Sequence, residues 1–98
     1  MIKLSIFDSV KAAAFNLEQV AHDNQERAEY GMYAALQLIS NRKFNIITEA
    51  MLKIARDKLR ILISHIKDNW EYVKYDLIRL SGLLYAATDT MYKPFPLS

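Results

Sequence analysis

The segment RDKLRILISH, residues 56–65, contains two side chains whose types suit acid–base chemistry on a phosphate. Arg60 precedes His65 with four residues between them. An arginine can stabilise the negative charge that develops on a phosphorane, and a histidine can accept or donate a proton near neutral pH. The pair therefore raises the question of whether the chain cleaves RNA.

The spacing resembles the arginine–four residues–histidine element of HEPN-type ribonucleases, helical bundles that dimerise to bring such residues together over an RNA phosphate. The resemblance covers two residues of 98. It implies a ribonuclease in which Arg60 steadies the phosphate while His65 moves the proton. The sequence departs from that pattern at Ile61, where a polar residue often follows the arginine, and at Lys67, where a tyrosine often follows the histidine.

Helical spacing separates the two candidate residues. Successive residues of an α-helix turn by about 100°, so Arg60 and His65 lie about 140° apart around the axis. His65 shares its azimuth with Ile47 and lies close to Ile54 and Ile61, whereas Arg60 lies among polar residues. We therefore expect His65 to be a partly buried core residue with a hydrogen-bond partner, and we favour that role over a nuclease site.

The other ionisable residues predict neither a metal site nor a catalytic cluster. The sequence has no cysteine and only two histidines. His65 has Asp68 at i+3 and His22 has Glu18 at i−4, so each pair supplies two ligands where a stable site needs three or four. Most carboxylates have a basic residue three or four positions away, which is typical of a solvent-exposed helix surface. We therefore predict a non-enzymatic chain with no cofactor and no metal.

Tyrosines that accompany charged residues are the feature that we favour for function. Tyr72 and Tyr75 lie one helical turn apart beside Asp76 and Arg79, and their azimuths lie off the main apolar stripe of the last helix. Tyrosine and arginine are enriched at protein–protein hot spots. The predicted partner-binding residues are Tyr72, Tyr75, Asp76, Arg79, Arg56 and Arg60. The alternative is that the tyrosines pack against the first helix as the rim of the core.

Apolar residues recur at helical spacing, and both prolines lie within the last five residues, which predicts an all-helical chain. We expect Asp8 to cap the first helix, Asp23 or Asn24 the second, and Asn45 the next. Gly31, inside the second helix, favours close helix–helix approach over room for a ligand. The expected core positions of the first two helices are Val10, Ala14, Leu17, Ala21, Ala28, Met32, Ala35 and Ile39, with Phe7 just ahead of the first stripe and with Tyr33 and Leu36 widening the second.

Residues 46–92 form either one long helix or two helices with a break near Asp68 and Asn69, and we favour the break. The first apolar stripe contains Ile47, Ala50, Met51, Ile54, Ile61, Leu62 and His65; the second contains Ile66, Trp70, Val73, Leu77, Leu80 and Leu84. The second stripe lies about 50° forward of the first, whereas one continuous seam would drift backward.

The first half of this segment is apolar over an unusually wide arc. Leu52, Leu59 and Ile63 flank its main stripe, so the apolar arc spans about 220°. A helix of this kind is either central in its bundle or buries a second face in another chain.

The predicted fold is therefore all-α: a small antiparallel helical bundle of three to four helices, with the option of one long C-terminal helix, and no sheet. We expect a single helical-bundle domain over residues 1–92 and a short C-terminal tail over residues 93–98. Within that tail, Phe95 and Leu97 either fold back on the bundle or dock on a partner.

Charge narrows the classes of partner. Thirteen Lys and Arg against eleven Asp and Glu leave a net charge of +2, too even to indicate nucleic acid or an anionic membrane by itself. We predict a cytoplasmic, self-associating protein interaction module, a small inhibitor, adaptor or regulator of a larger protein, as many small phage and mobile-element proteins are. The alternatives are a nucleic-acid-binding regulator and a ribonuclease that uses Arg60 and His65; we expect no membrane partner.

Overall fold

The computed structural model describes residues 5–91, and these residues form four α-helices. The helices are α1 (Ile6–Ala21), α2 (Gln25–Ser40), α3 (Ile46–His65) and α4 (Trp70–Met91). No strand occurs among the described residues, so the predicted all-α bundle is confirmed. The tail 93–98, with Phe95 and Leu97, lies outside the described residues.

Each helix begins after a side chain that accepts a hydrogen bond from the amide three residues further on. The acceptors are Ser5 for α1, Asn24 for α2, Asn45 for α3 and Asn69 for α4. Such bonds satisfy an amide that the first helical turn leaves unpaired. The predictions for Asn24 and Asn45 are confirmed. The prediction for Asp8 was wrong, because Ser5 holds the cap position and its hydroxyl donates to Asp8 Oδ2 at 2.9 Å.

Residues 66–69 separate α3 from α4, so the predicted break near Asp68 and Asn69 is confirmed. At this corner the amides of Asp68 and Asn69 both donate to the His65 carbonyl, at 3.3 and 2.9 Å. Ile66 is buried there, and its carbonyl accepts a 2.6 Å hydrogen bond from Gln25 Nε2. The end of α3 is therefore attached to the start of α2.

Short connections make consecutive helices antiparallel. Helix α1 packs against α2 and α4, and α3 packs against the same two helices, so the four helices lie at the corners of a square. The largest fully buried side chains come from all four helices: Leu17, Met32, Ile39, Leu52, Leu59, Leu62, Ile66, Leu77 and Leu84. The eight main-stripe positions predicted for the first two helices are buried, whereas Tyr33, which was predicted to widen the second stripe, is 52% exposed, and Leu36 is partly buried. In the last predicted stripe every residue is buried except Trp70, which is partly buried against the core.

Helix α3 turns a different flank to the core from the one that its apolar stripe predicted. Its buried residues are Thr48, Leu52, Ala55, Leu59 and Leu62. Of the predicted stripe, only Leu62 is buried, whereas Ile47, Ile54 and Ile61 are 55%, 60% and 47% exposed. The observed core azimuth differs from the predicted one by about 100°. The wide apolar arc explains the error, because hydrophobic periodicity alone allows either flank of such a helix to face inward.

Gly31 lies where α2 approaches α1 closely. A Cβ atom at this position would lie 3.1 Å from Asn16 Nδ2 and 3.5 Å from side-chain carbons of Leu17 and Val20. The missing side chain therefore allows the two helices to pack at this distance, as the sequence predicted.

We expect Gly31→Leu to lower the free energy of unfolding by about 1–3 kcal/mol, because the larger side chain overpacks the α1–α2 contact. Urea denaturation measures this change. The matched control is Ala34→Leu on the exposed side of the same helix, which we expect to change the free energy by less than about 0.5 kcal/mol. Equal effects of the two substitutions would contradict the close approach at Gly31.

Candidate functional site

The flank that α3 turns away from the core lies beside the outer side of α4. Ile47, Ile54 and Ile61 recur every seven residues, a spacing that keeps them within about 40° of one another around the helix axis. Exposed residues of α4 continue this surface. We define the α3–α4 face as Ile47, Ile54, Ile61 and His65 of α3 together with Tyr72, Tyr75, Arg79, Gly82 and Ala86 of α4.

An ion pair joins the two helices at the middle of this face. Lys58 Nζ donates to Asp76 Oδ2 at 3.0 Å, and the Asp76 side chain is only 12% exposed. The hydrogen bond from Lys58 lowers the pKa of Asp76, against the opposing effect of burial, and a hydrogen bond from Tyr72 lowers it further. The same hydrogen bond and the charge of Asp76 raise the pKa of Lys58. Both groups are therefore charged at neutral pH and neutralise each other.

Arg79 is the charged group of the face that reaches furthest into solvent. Its Nη1 lies 3.9 Å from Asp76 Oδ1, and its side chain is 85% exposed. Beneath it, α3 and α4 enclose a shallow cleft of about 190 Å³ that is lined by Ile54, Lys58, Asp76, Arg79, Leu80 and Leu83. This volume is below the roughly 300–1,000 Å³ of small-molecule sites. The cleft suits individual side chains of a docked protein better than a cofactor.

His65 lies at the end of the face and is not a core residue. Its side chain is 48% exposed, so the predicted position in the core was wrong, although a carboxylate neighbour of the predicted kind is present. Its Nδ1 lies 3.6 Å from Asp68 Oδ1, and its ring meets the Tyr72 ring edge-on with centroids 6.0 Å apart. The rotation of α3 explains the exposure, because His65 shares an azimuth with Ile47, which is also exposed.

The structure places Arg60 on a different side of α3 from His65. Arg60 pairs with Asp57 at 3.5 Å on the solvent side of the helix. Its azimuth remains about 140° from that of His65, so one helix alone does not point both side chains at one phosphate.

Arg56 points away from the α3–α4 face. Its Nη1 donates to the Ile39 carbonyl of α2 at 2.9 Å, and its Nη2 pairs with Glu49. With its side chain 15% exposed, Arg56 ties α3 to α2. Of the predicted partner-binding residues, Tyr72, Tyr75 and Arg79 lie together on the face, Asp76 lies beneath them, and Arg56 and Arg60 lie elsewhere.

The sequence reasoning missed the contribution of Lys58 and of the isoleucines. Nothing in the local pattern distinguishes Lys58, because its pairing with Asp76 depends on the antiparallel register of α3 and α4. The isoleucines did give a signal, since residues 47, 54 and 61 share one heptad position while leucines occupy the neighbouring flank.

Comparison with protein-family models, with curated proteins and with solved structures gives no match. Within residues 5–91, no group of three His, Cys, Asp or Glu residues is placed to hold a metal ion. None of the described helices is both long enough and apolar enough to cross a membrane. The α3–α4 face is therefore the candidate functional site.

We expect Asp76 to give stability a dependence on acid pH. Its pKa is lower in the folded than in the unfolded state, so its stabilisation is complete above the unfolded value of about 3.9 and is lost as pH falls through the folded pKa. The pH dependence from Lys58 has the opposite sign. Its pKa is raised in the folded state, so its stabilisation is complete below about pH 10.4 and is lost as pH rises through the folded pKa.

Urea denaturation of wild type and Asp76→Asn from about pH 7 to pH 2 measures the acid effect. The difference in unfolding free energy between them should shrink as the pH falls. Glu26→Gln, at an exposed carboxylate of α2 that lies away from the α3–α4 face, is the control. A difference that is constant over this range contradicts the role of the Lys58–Asp76 pair.

Proposed function

We propose that the chain is a non-enzymatic protein–protein interaction module of the cytoplasm. It is a self-associating inhibitor, adaptor or regulator that works through the α3–α4 face. The observation that supports this most is the line of exposed isoleucines on α3. Ile47, Ile54 and Ile61 each expose about half of their surface although leucines of the same helix already fill the core.

Burial of the exposed isoleucines by a partner contributes a binding free energy that the free chain does not gain. Complete burial of such a side chain contributes about 1.5–3 kcal/mol, so covering the half that is exposed contributes about 1 kcal/mol for each isoleucine. A surface helix of a bundle needs an apolar stripe of roughly 100°, and α3 has about twice that width. The excess width is typical of a helix that buries a second face in another molecule.

The polar groups of the face suit docking as well. Tyr72 and Tyr75 offer large contact area with few rotatable bonds, and tyrosine and arginine are frequent among hot-spot residues. The charge of Lys58 is already compensated by Asp76. A partner that covers the face therefore buries an existing ion pair. Burial of an isolated charge would cost far more free energy.

Nucleic-acid binding is the less favoured function. Three of the basic residues that share this part of the chain, Arg56, Arg60 and Lys74, each lie in an ion pair with a carboxylate. These carboxylates reduce the positive potential that a phosphate backbone would meet.

A ribonuclease has one specific observation in its favour. His65 is exposed and has the Asp68 carboxylate at its Nδ1, an arrangement that can orient an imidazole as a general base. We expect purified protein to leave structured and single-stranded RNA intact, because Arg60 points elsewhere. RNA cleavage that disappears in both Arg60→Ala and His65→Ala would contradict the proposed function.

Affinity capture from cells that naturally express the chain tests the proposed face. We expect Ile54→Asp combined with Ile61→Asp to weaken the capture of bound proteins about 30-fold, since loss of about 1 kcal/mol at each position gives this ratio. Quantitative mass spectrometry of the retained proteins measures the change, and circular dichroism checks that the variant folds.

The matched control for this experiment is Phe15→Asp combined with Tyr30→Asp. Both residues are large, apolar and exposed, but they lie on α1 and α2. We expect this control to retain the same proteins as wild type. Equal retention by the control and the α3–α4 variant would contradict the proposal.

A further inference from the structure

We propose that the α3–α4 face binds a second copy of this chain, in a symmetric pair whose two-fold axis crosses α3 at Ile54 and α4 at Gly82. The inference rests on the proposed function, because it names the partner of the same face. It follows from three features of that face: the register of its helices, the order of large and small side chains, and its size.

The register of α3 against α4 places Ile54 beside Gly82. Lys58 contacts Asp76, and Thr48 contacts Thr90 with 2.6 Å between their hydroxyl oxygens. The two helices are antiparallel, so Ile54, four residues before Lys58, lies level with residue 80, four residues after Asp76. Counted from the other contact, Ile54 is six residues after Thr48 and lies level with residue 84, six residues before Thr90. Residue 82 is the midpoint, so one axis can cross both helices at these two positions.

The isoleucines of α3 are symmetric about Ile54. Ile47 and Ile61 lie seven residues on either side of it. If a second α3 lies antiparallel across the axis, Ile54 meets its own copy, and Ile47 meets Ile61 of the second copy at both ends. An interface that a two-fold axis relates to itself requires this kind of self-complementary pattern.

The exposed residues of α4 divide at Gly82 into a large half and a small half. Tyr72, Tyr75 and Arg79 precede the glycine, and the smaller Ala86 and Asp89 follow it within the described residues. The proposed axis lays the large half of one α4 against the small half of the other. Large side chains then meet space rather than one another, which gives the shape complementarity that a tight interface needs.

Gly82 itself has no explanation within residues 5–91. A glycine inside a helix is destabilising relative to alanine. At Gly31 the close approach of α1 accounts for it, but a Cβ atom at Gly82 would have no atom of the described part of the chain within 4 Å. A second α4 crossing at this point accounts for the missing side chain in the same way as α1 does at Gly31.

Charge and area agree with a two-fold pair. Arg79 and Asp89 lie on opposite sides of Gly82, so the axis brings each arginine toward the aspartate of the other copy and both contacts are attractive. Two adjacent helices of about 30 Å length and 20 Å combined width offer about 600 Å² per copy. Twice that area reaches the lower end of roughly 1,200–2,000 Å² for stable interfaces.

Disulfide cross-linking tests the position of the axis. The chain has no cysteine, so Ile54→Cys gives each copy a single thiol. We expect mild oxidation to convert most of this variant into covalent dimers, because residue 54 meets its own copy. The matched control is Ile46→Cys, which is more exposed but lies about 24 Å from its own copy in the proposed pair, far beyond the roughly 7 Å limit for a disulfide.

Light scattering with Gly82→Leu tests the contact between the two α4 helices. The new side chain has open space within one chain, so the isolated fold should keep or increase its melting temperature. We expect the dissociation constant of the Gly82→Leu dimer to be at least tenfold higher than that of the wild-type dimer. Ala34→Leu, on the opposite exposed surface, should leave the dimer unchanged.

Several results would overturn the inference: equal cross-linking at positions 46 and 54, an unchanged dimer in Gly82→Leu, or a wild-type chain that remains monomeric at high micromolar concentration. The proposed function would survive a monomeric wild type if the Ile54 and Ile61 variant still lost proteins captured from the cell. The partner would then be a different protein. If that variant kept both self-association and the captured proteins, the inference and the proposed function would both be overturned.

Discussion

The rotation of α3 about its own axis determines which of its apolar side chains the bundle buries and which it exposes. Contacts on both sides of the helix hold this rotation. Arg56 donates to the Ile39 carbonyl of α2, and Lys58, two residues later, pairs with Asp76 of α4. Because consecutive residues turn by about 100°, these two side chains leave the helix in nearly opposite directions. With both in place, Leu52 and Leu59 face inward, and the isoleucine line faces out.

The face that a helix turns to the core was predictable from the sequence where the helix carries a single narrow apolar stripe. In α1 and α2 a single stripe of small and branched residues leaves one possible core face, and polar residues such as Asn24 and Asn45 mark where helices begin. Helix α3 has two competing apolar flanks, so its periodicity could not decide between them. His65 was misplaced for this reason. The position of Asp76 beneath Tyr72 depends on pairing with Lys58, a contact between residues 18 positions apart.

The two glycines differ in their surroundings. Gly31 meets α1, so its role is complete within the bundle, whereas no atom of the described residues lies close to Gly82. The exposed isoleucines, the tyrosines and Gly82 lie on one surface whose central charges are already paired. This combination supports the proposal that the bundle carries out its function by binding protein through α3 and α4. It also gives a physical reason for the apolar width of α3, which folding of a single chain does not require.

Methyl NMR in the presence of a soluble paramagnetic gadolinium chelate tests the rotation of α3 most directly, because the chelate broadens only methyl groups that it can approach. We expect strong broadening of the Ile54 methyl group and little broadening of the Leu59 methyl groups in dilute solution. At high protein concentration, Ile54 should become protected while the exposed Ile46 remains broadened. Equal broadening of Leu59 and Ile54 in dilute solution, or protection of Ile54 there, would contradict this rotation of α3.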